Sequence, residues 1–351
     1  MSDNDTLLSV EDVSTYFFTE EGIAKAVQGV TFSIKKGRTF ALVGESGCGK
    51  SITALSIMRL VPAPAGKIVN GKIIFRNRDL LVLSERRMRA IRGNKIAMIF
   101  QEPMTSLNPV YTVGNQIVET IRLHQRKSAS QAWADAVEML RKAGISDPGQ
   151  RIHEYPHQMS GGMRQRVMIA IAISCKPALL IADEPTTALD VTIQSQILDL
   201  LDALQKQDGM SILLITHDLG VVAERADDVG VMYASRIAEV ADSQQLFSRP
   251  LHPYTQGLLK SLPQLGYSAK RLLTIPGTVP EPLHFPSGCK FHPRCPIGND
   301  DKRCQTVEPL LRQVQSSRCV ACWYAPGYET GEEYKEYESK YGKHKRVSAG
   351  S

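Results

Sequence analysis

Short apolar runs recur along the chain, and each delivers a polar residue at its end. Residues 39–43, 96–100, 178–182 and 211–216 are such runs, and Gly44, Gln101, Asp183 and His217 follow them. Runs this short, bounded by polar residues, predict buried strands. In an open α/β sheet, ligand groups stand at the carboxyl edge of the strands, which is where these four residues would lie. Other segments carry a helical period. Residues 52–60 are apolar on one face, and Pro62 and Pro64 end that run. Residues 113–174 read as a helical insertion: Ser128 with Gln131 resembles a capping box, Trp133, Val137 and Leu140 share a face, and Gly144 suits a stop. Asp190 can cap a later helix with the stripe Ile193, Ile197, Leu200 and Leu204, which Gly209 would end. At the start, residues 7–13 and 23–34 alternate and predict an N-terminal hairpin layer. Residues 67–76 predict strands around Gly71.

The first run opens onto Gly44-Glu45-Ser46-Gly47-Cys48-Gly49-Lys50-Ser51, a complete G-x-x-x-x-G-K-S phosphate loop in a strand–loop–helix context. The glycines let backbone N–H groups turn toward a phosphate, and the helix N-terminus adds positive dipole. Lys50 would reach the β- and γ-phosphates, and the Ser51 hydroxyl would hold Mg²⁺. Cys48 reads as a small turn residue. Asp183 suits Mg²⁺, directly or through water, and Glu184 suits a general base for the attacking water. The Gln101 amide can serve Mg²⁺ or orient water, and His217 on the same edge suits a γ-phosphate contact. Ser160-Gly161-Gly162 precedes an apolar helix and offers a second anion site; its plainer reading is a simple N-cap. Among the adjacent aromatics Tyr16, Phe17 and Phe18, one can stack on an adenine, or all can serve core or edge packing.

Composition bounds rather than decides. The 351 residues suffice for about two domains, and a net charge of +6 suits an anionic ligand as well as a plain solvated surface. The N-terminus is acidic with no apolar run behind it, so no secretory signal is expected. No apolar stretch approaches the ~20 residues that span a bilayer. Five of the seven cysteines, Cys289, Cys295, Cys304, Cys319 and Cys322, fall close together in the C-terminal part. In a nucleotide-binding protein such a cluster points to a soft metal before disulfides. The spacing is not a common ferredoxin run, so the residues alone leave iron–sulfur, structural Zn²⁺ and free thiols or a disulfide open.

Taken together, the phosphate loop, Gln101, the Ser-Gly-Gly element, Asp183-Glu184 and His217, in this order, resemble the ATPase subunit of an ATP-binding cassette (ABC) transporter over about residues 6–250. The stretch 249–259, residues 275–280 and the cysteines resemble the C-terminal extension of dipeptide/oligopeptide importer ATPases. So does the signature Met159-Ser160-Gly161-Gly162-Met163, where the wider family has Leu and Gln at the outer positions. Glu102-Pro103-Met104-Thr105-Ser106-Leu107-Asn108-Pro109 fits the same subfamily. The resemblance implies an α/β P-loop NTPase cassette at 6–245, with a mixed sheet core, an N-terminal antiparallel β layer and a helical signature subdomain at about 102–175. A small Cys-rich extension would fill 246–327, and 328–351 would be a disordered tail. It implies ATP and Mg²⁺ as cofactors, Phe17 as the adenine-stacking residue and Ala188-Leu189-Asp190 as a dimer-contact loop. It also implies a 4Fe–4S cluster on Cys289, Cys295, Cys304 and Cys322, with Cys319 as the alternative ligand and Zn²⁺ as the alternative metal.

The partners so implied are a second cassette, by family habit a paralogue, closing head to tail so that Ser160, Gly161, Gly162 and Met163 meet the partner's ATP. To these are added two membrane-spanning permease subunits, an extracytoplasmic solute-binding protein reached through them, and no nucleic acid. The chain would lie peripherally on the cytoplasmic side of the inner membrane and couple ATP hydrolysis to peptide uptake. Nickel or another small solute is the alternative cargo. A cassette acting on nucleic acid or the ribosome is the alternative of another class, but a single cassette without sustained heptads speaks against it. A binding module that has lost hydrolysis is opposed by the intact Lys50, Asp183, Glu184 and His217.

Overall fold

The computed structural model describes residues 5–101, 106–187, 189–261 and 274–328. Twelve strands are found among them: β1 (Thr6–Thr19), β2 (Gly22–Lys35), β3 (Thr39–Val43), β4 (Gly66–Phe75), β5 (Arg78–Asp79), β6 (Ile96–Ile99), β7 (Leu179–Asp183), β8 (Ser211–Ile215), β9 (Asp228–Tyr233), β10 (Arg236–Asp242), β11 (Arg312–Gln315) and β12 (Arg318–Val320). Strands β3, β7 and β8 are buried at every position, as their unbroken apolar runs require. They pair in parallel within one sheet of order β11-β12-β10-β9-β3-β8-β7-β6, in which β9–β10, β10–β12 and β11–β12 are antiparallel.

A second, antiparallel sheet has the order β2-β1-β4-β5. Its first two strands run longer than the alternation at 7–13 and 23–34 predicts. The register shifts between Val10 and Thr15, where Asp12 takes a φ of 50°, and this bulge brings Val13, Ser14 and Thr15 successively into the interior. The facing residue is Gly71 (φ 101°), where a Cβ would stand 2.6 Å from the carbonyl oxygens of Glu11 and Asp12. Strand β4 therefore runs through Gly71 instead of breaking there.

The helix Lys50–Met58 packs between the two sheets, with Ala54, Ile57 and Met58 in a core shared with Val10, Val30, Phe40 and Ile215. The insertion contains helices at Val113–Gln125, Ala129–Lys142 and Gly161–Ile173, which enclose a second core with β6 and β7. The Ser128–Gln131 capping box forms as the sequence predicts, and Thr112 caps the preceding helix.

The C-terminal region builds onto the cassette sheet. Strand β12 pairs Val320 with Glu239 and Cys319 with Val240 of β10. Glu239 is fully buried: it accepts from the backbone N–H groups of Leu251 (3.0 Å) and His252 (2.9 Å) and pairs with the buried Arg318 at 2.7 Å. Removing one member of such a pair strands the other charge in the interior. Glu239→Ala is therefore expected to lower the unfolding free energy by about 3–5 kcal/mol, read by urea denaturation; a loss under about 1 kcal/mol would show that this anchor is dispensable.

Candidate nucleotide site

The phosphate loop joins β3 to the helix Lys50–Met58. Gly44 (φ 153°) and Gly49 (φ 105°) permit no side chain: a Cβ would stand 2.2 Å from Met232 O and 2.3 Å from Ala26 O. The loop is thus pressed between β9 and β2. The ammonium of Lys50 is buried and donates to the carbonyl oxygens of Gly44 (2.9 Å) and Glu45 (3.2 Å). Cys48 is wholly buried, and burial pushes its thiol pKa up, so it is an inert packing group at the turn. The Glu45 N–H and carboxylate face the C-terminal region, where they meet Tyr254 and Arg294.

The carboxylates arrive from β7. Ser51 Oγ donates to Asp183 Oδ1 at 3.1 Å, so two of the three groups expected to hold Mg²⁺ are already adjacent. Burial raises the Asp183 pKa, the Ser51 bond opposes this, and Glu184 beside it adds to the rise. A cation there would favour the ionised form, so the donor set fits Mg²⁺. Glu184 has a φ of 47°, a left-handed conformation that a glutamate adopts only when held. It is held by its N–H donating to Ile215 O (2.9 Å), and its Oε2 accepts from Gln101 Nε2 (3.1 Å) and Thr187 Oγ1 (2.9 Å). His217 Nδ1 lies 3.5 Å from Glu184 Oε1 and is exposed. Gln101, Asp183, Glu184 and His217 are thus brought to one sheet edge. Thr187 was not singled out in the sequence, although its place three residues after Glu184 is the signal that finds it.

The Phe17 ring lies against Gly66, whose added Cβ would be 2.8 Å from Phe17 Cε1; Phe17 and Tyr16 are half-buried, and Phe18 is exposed beneath Lys67. Ser160 caps the helix Gly161–Ile173 by accepting from the Met163 N–H. Beside it, Gly162 packs on Ile193 and Gly161 faces Leu189, so the Ser-Gly-Gly element borders the loop and helix that follow Glu184. Gln165 Nε2 donates to Pro185 O at 2.6 Å and fastens that helix to the carboxylate strand, a link the sequence did not reveal. Asp190 caps the helix Val191–Asp208 as expected. Ala188 and residues 102–105 lie outside the described residues, as does the expected tail beyond Tyr328.

Cys289, Cys295, Cys304 and Cys322 gather in the C-terminal region. An added Cβ at Gly298 would lie 3.0 Å from Cys304 Sγ and 3.4 Å from Cys295 Sγ. Burial raises all four pKa values, to about 11 for Cys289 and about 12 for Cys322, and the charges of neighbouring thiolates raise those of Cys289, Cys304 and Cys322 further. Cys319, on β12, is raised by burial alone. Among the described residues no group of three or more His, Cys, Asp or Glu is arranged to hold a metal ion.

A glycine-locked phosphate loop, paired carboxylates at the end of another parallel strand of the same sheet and a helical insertion whose last helix opens on Ser-Gly-Gly define a P-loop nucleoside triphosphatase of the cassette type. The family profile described as ABC transporter matches residues 27–187, and that described as Oligopeptide/dipeptide transporter, C-terminal region, matches 238–304. The chain is 54% identical to the oligopeptide transport ATP-binding protein AppD of Bacillus subtilis, over 91% of this chain and 96% of that one. It is 48% identical to the dipeptide transport ATP-binding protein DppD of Escherichia coli, with the same coverage. Among solved structures, the dimeric ATP-binding cassette MJ0796 in a post-hydrolysis state with ADP and Pi aligns with a TM-score of 0.61 and 27% identity, over 67% of this chain and 98% of its own. CbiO1 of Clostridium perfringens aligns with a TM-score of 0.59 and 26% identity, over 70% of this chain and 92% of its own. The chain belongs to the ABC transporter ATP-binding family, in the branch that carries the oligopeptide/dipeptide transporter C-terminal region, and it is an ATPase.

Proposed function

We propose that this chain is the ATP-hydrolysing subunit of an importer of di- and oligopeptides. The observation that carries the reading is the joining of the cassette site to the peptide-transporter C-terminal region in a single chain. The names of its relatives favour peptides over nickel or another small solute, and transport over action on nucleic acid or the ribosome. In this reading the backbone of residues 44–51 cradles the phosphates of ATP, Lys50 bonds the β- and γ-phosphates, and Phe17 stacks on the adenine. Ser51, Asp183 and Gln101 would hold Mg²⁺, which supplies charge neutralisation at the β- and γ-oxygens. Glu184 takes the proton of the attacking water. Gln101 and Thr187 aim its carboxylate through the bonds at 3.1 and 2.9 Å, and His217 reaches toward the γ-phosphate. Ser160, Gly161, Gly162 and Met163 meet the ATP of a second cassette, a paralogue, with Ala188, Leu189 and Asp190 at the contact. The similar MJ0796 cassette, which is dimeric, supports that arrangement.

Among the described residues no helix is long and apolar enough to cross a membrane. In this reading passage of peptide belongs to partners: two permease subunits, fed by an extracytoplasmic solute-binding protein, with this chain on the cytoplasmic face of the inner membrane. A cleft of about 440 Å³ between the sheet edge and the helical insertion is lined by Met58, Phe100, Leu107, Leu123 and Met168, with Phe100 and Leu123 exposed, and it suits an apolar segment of a permease. Pull-down from detergent-solubilised membranes is expected to bring two membrane-spanning proteins and a second cassette. Recovery of the chain with ribosomes or nucleic acid instead would refute the transport reading.

A 4Fe–4S cluster on Cys289, Cys295, Cys304 and Cys322 is part of this proposal. The room left by Gly298 beside the sulfurs of Cys295 and Cys304 supports it. Anaerobically purified protein is expected to contain iron and acid-labile sulfide in equal amounts. Zinc without sulfide would replace the cluster with a structural ion, and Cys319 would then be tested as a ligand.

A further inference from the structure

Glu45, the second residue of the phosphate loop, is gripped by residues more than two hundred positions away. Its N–H donates to the hydroxyl oxygen of Tyr254 at 3.0 Å. Its carboxylate accepts from both Nη atoms of Arg294, at 2.8 and 3.1 Å. Such a bidentate, charge-assisted pair fixes orientation as well as distance.

The gripping side chains are themselves immobilised. Arg294 is 6% exposed against 29% for Glu45; its Nε donates to Pro276 O at 2.9 Å, and its Nη1 to the Tyr233 hydroxyl at 3.4 Å. Tyr254 is fully buried, with ring centroids 4.6 Å from Tyr233 and 5.4 Å from Phe291. Lys290 adds a parallel link: it donates to Ala234 O at 2.8 Å, and the next residue, Ser235, donates its N–H to Cys48 O in the loop at 3.0 Å. The loop therefore conforms to the C-terminal region. The Glu45 carbonyl is in turn one of the two that hold the Lys50 ammonium.

We propose that Arg294 and Tyr254 are positioning residues for the ATPase reaction: by fixing Glu45 they set the phosphate loop and the Lys50 ammonium, so that the C-terminal region governs the affinity of the cassette for ATP. This rests on the reading of residues 44–51 as the phosphate loop. It gives the C-terminal region a task within the nucleotide site, beyond any role in contacting partners.

The test is titration of the purified full chain with a fluorescent ATP analogue, alongside thermal unfolding. Arg294→Ala is expected to raise the Kd about 10-fold, because a charge-assisted pair is lost. Glu45→Gln, which keeps the shape and one hydrogen bond, is expected to raise it about threefold. The double variant is expected to bind no more weakly than Arg294→Ala alone, since both changes remove one interaction. Arg294→Lys should recover only part of the affinity, because an ammonium cannot make both bonds. Should Arg294→Ala not fold, Glu45→Gln and Arg294→Lys decide the matter. A Kd within about twofold of the unmodified chain in these variants, with or without a lowered melting temperature, would overturn the proposal. Lys50→Ala is the control: if it too binds ATP normally, the reading of the loop fails, whereas if it alone loses binding, only the role of the Arg294–Glu45 pair fails.

Discussion

Glu184→Gln is expected to bind ATP as tightly as the unmodified chain while its turnover falls about a thousandfold. The substitution removes one proton acceptor and little else. A glutamine carbonyl oxygen in place of Oε2 still accepts from Gln101 Nε2 and Thr187 Oγ1, so the left-handed backbone at residue 184 keeps its supports. The loop, Lys50 and the Ser51–Asp183 pair are untouched, which preserves nucleotide affinity. With hydrolysis blocked, the ATP-bound form accumulates, and a pair of cassettes that closes on ATP stays closed. Phosphate release measures the first effect and size-exclusion chromatography with ATP the second. Substantial remaining activity would remove Glu184 from the role of base and turn attention to His217, 3.5 Å away.

Lys50→Ala is expected to abolish measurable turnover and to weaken ATP binding by about 100-fold or more. The ammonium is buried at the loop and is held by two loop carbonyls, so it is aimed before any ligand arrives. Loss of a buried charge-assisted partner to phosphate costs about 1.5–3 kcal/mol per bond, and Lys50 would serve two phosphates. Nucleotide titration and phosphate release on the same preparation check both parts. Near-normal binding would contradict the reading of residues 44–51 as the phosphate loop with Lys50 on the phosphates.

The parts of this molecule that were legible in sequence are those with local signatures. The phosphate loop, the Asp183-Glu184 strand end and the caps at Ser128, Ser160 and Asp190 each involve residues within a few positions of one another. Unbroken apolar runs made β3, β7 and β8 visible for the same reason. The bulge at Asp12 was hidden because it interrupts the alternation by which strands are recognised, and its counterpart is a glycine some sixty residues away. Strands β11 and β12 are short and half-polar; β12 is held by pairing with β10 and by the buried Arg318–Glu239 pair, and β11 by pairing with β12. No local propensity announces such an edge addition. The Arg294–Glu45 contact spans 249 positions, and in sequence each partner is one charged residue among many. The sequence context already set Cys319 apart from the other four cysteines, and the fold places it on β12 while Cys295 and Cys304 meet beside Gly298.

These contacts recast the relation between the parts of the chain. The C-terminal region supplies sheet strands, core aromatics and direct contacts to the phosphate loop, so its removal is a change to the nucleotide site as well as to any docking surface.

The central claim is that ATP hydrolysis by this chain drives peptide import. The most direct measurement is uptake of a labelled dipeptide into proteoliposomes that hold the chain with its co-purified permease and second cassette, with the solute-binding protein on the side from which peptide enters. Uptake is expected to require ATP on the side of the cassettes and to disappear when this chain carries Glu184→Gln. Uptake that proceeds equally without ATP or with the Glu184→Gln chain, or ATP-driven uptake of nickel but not of peptide, would contradict it.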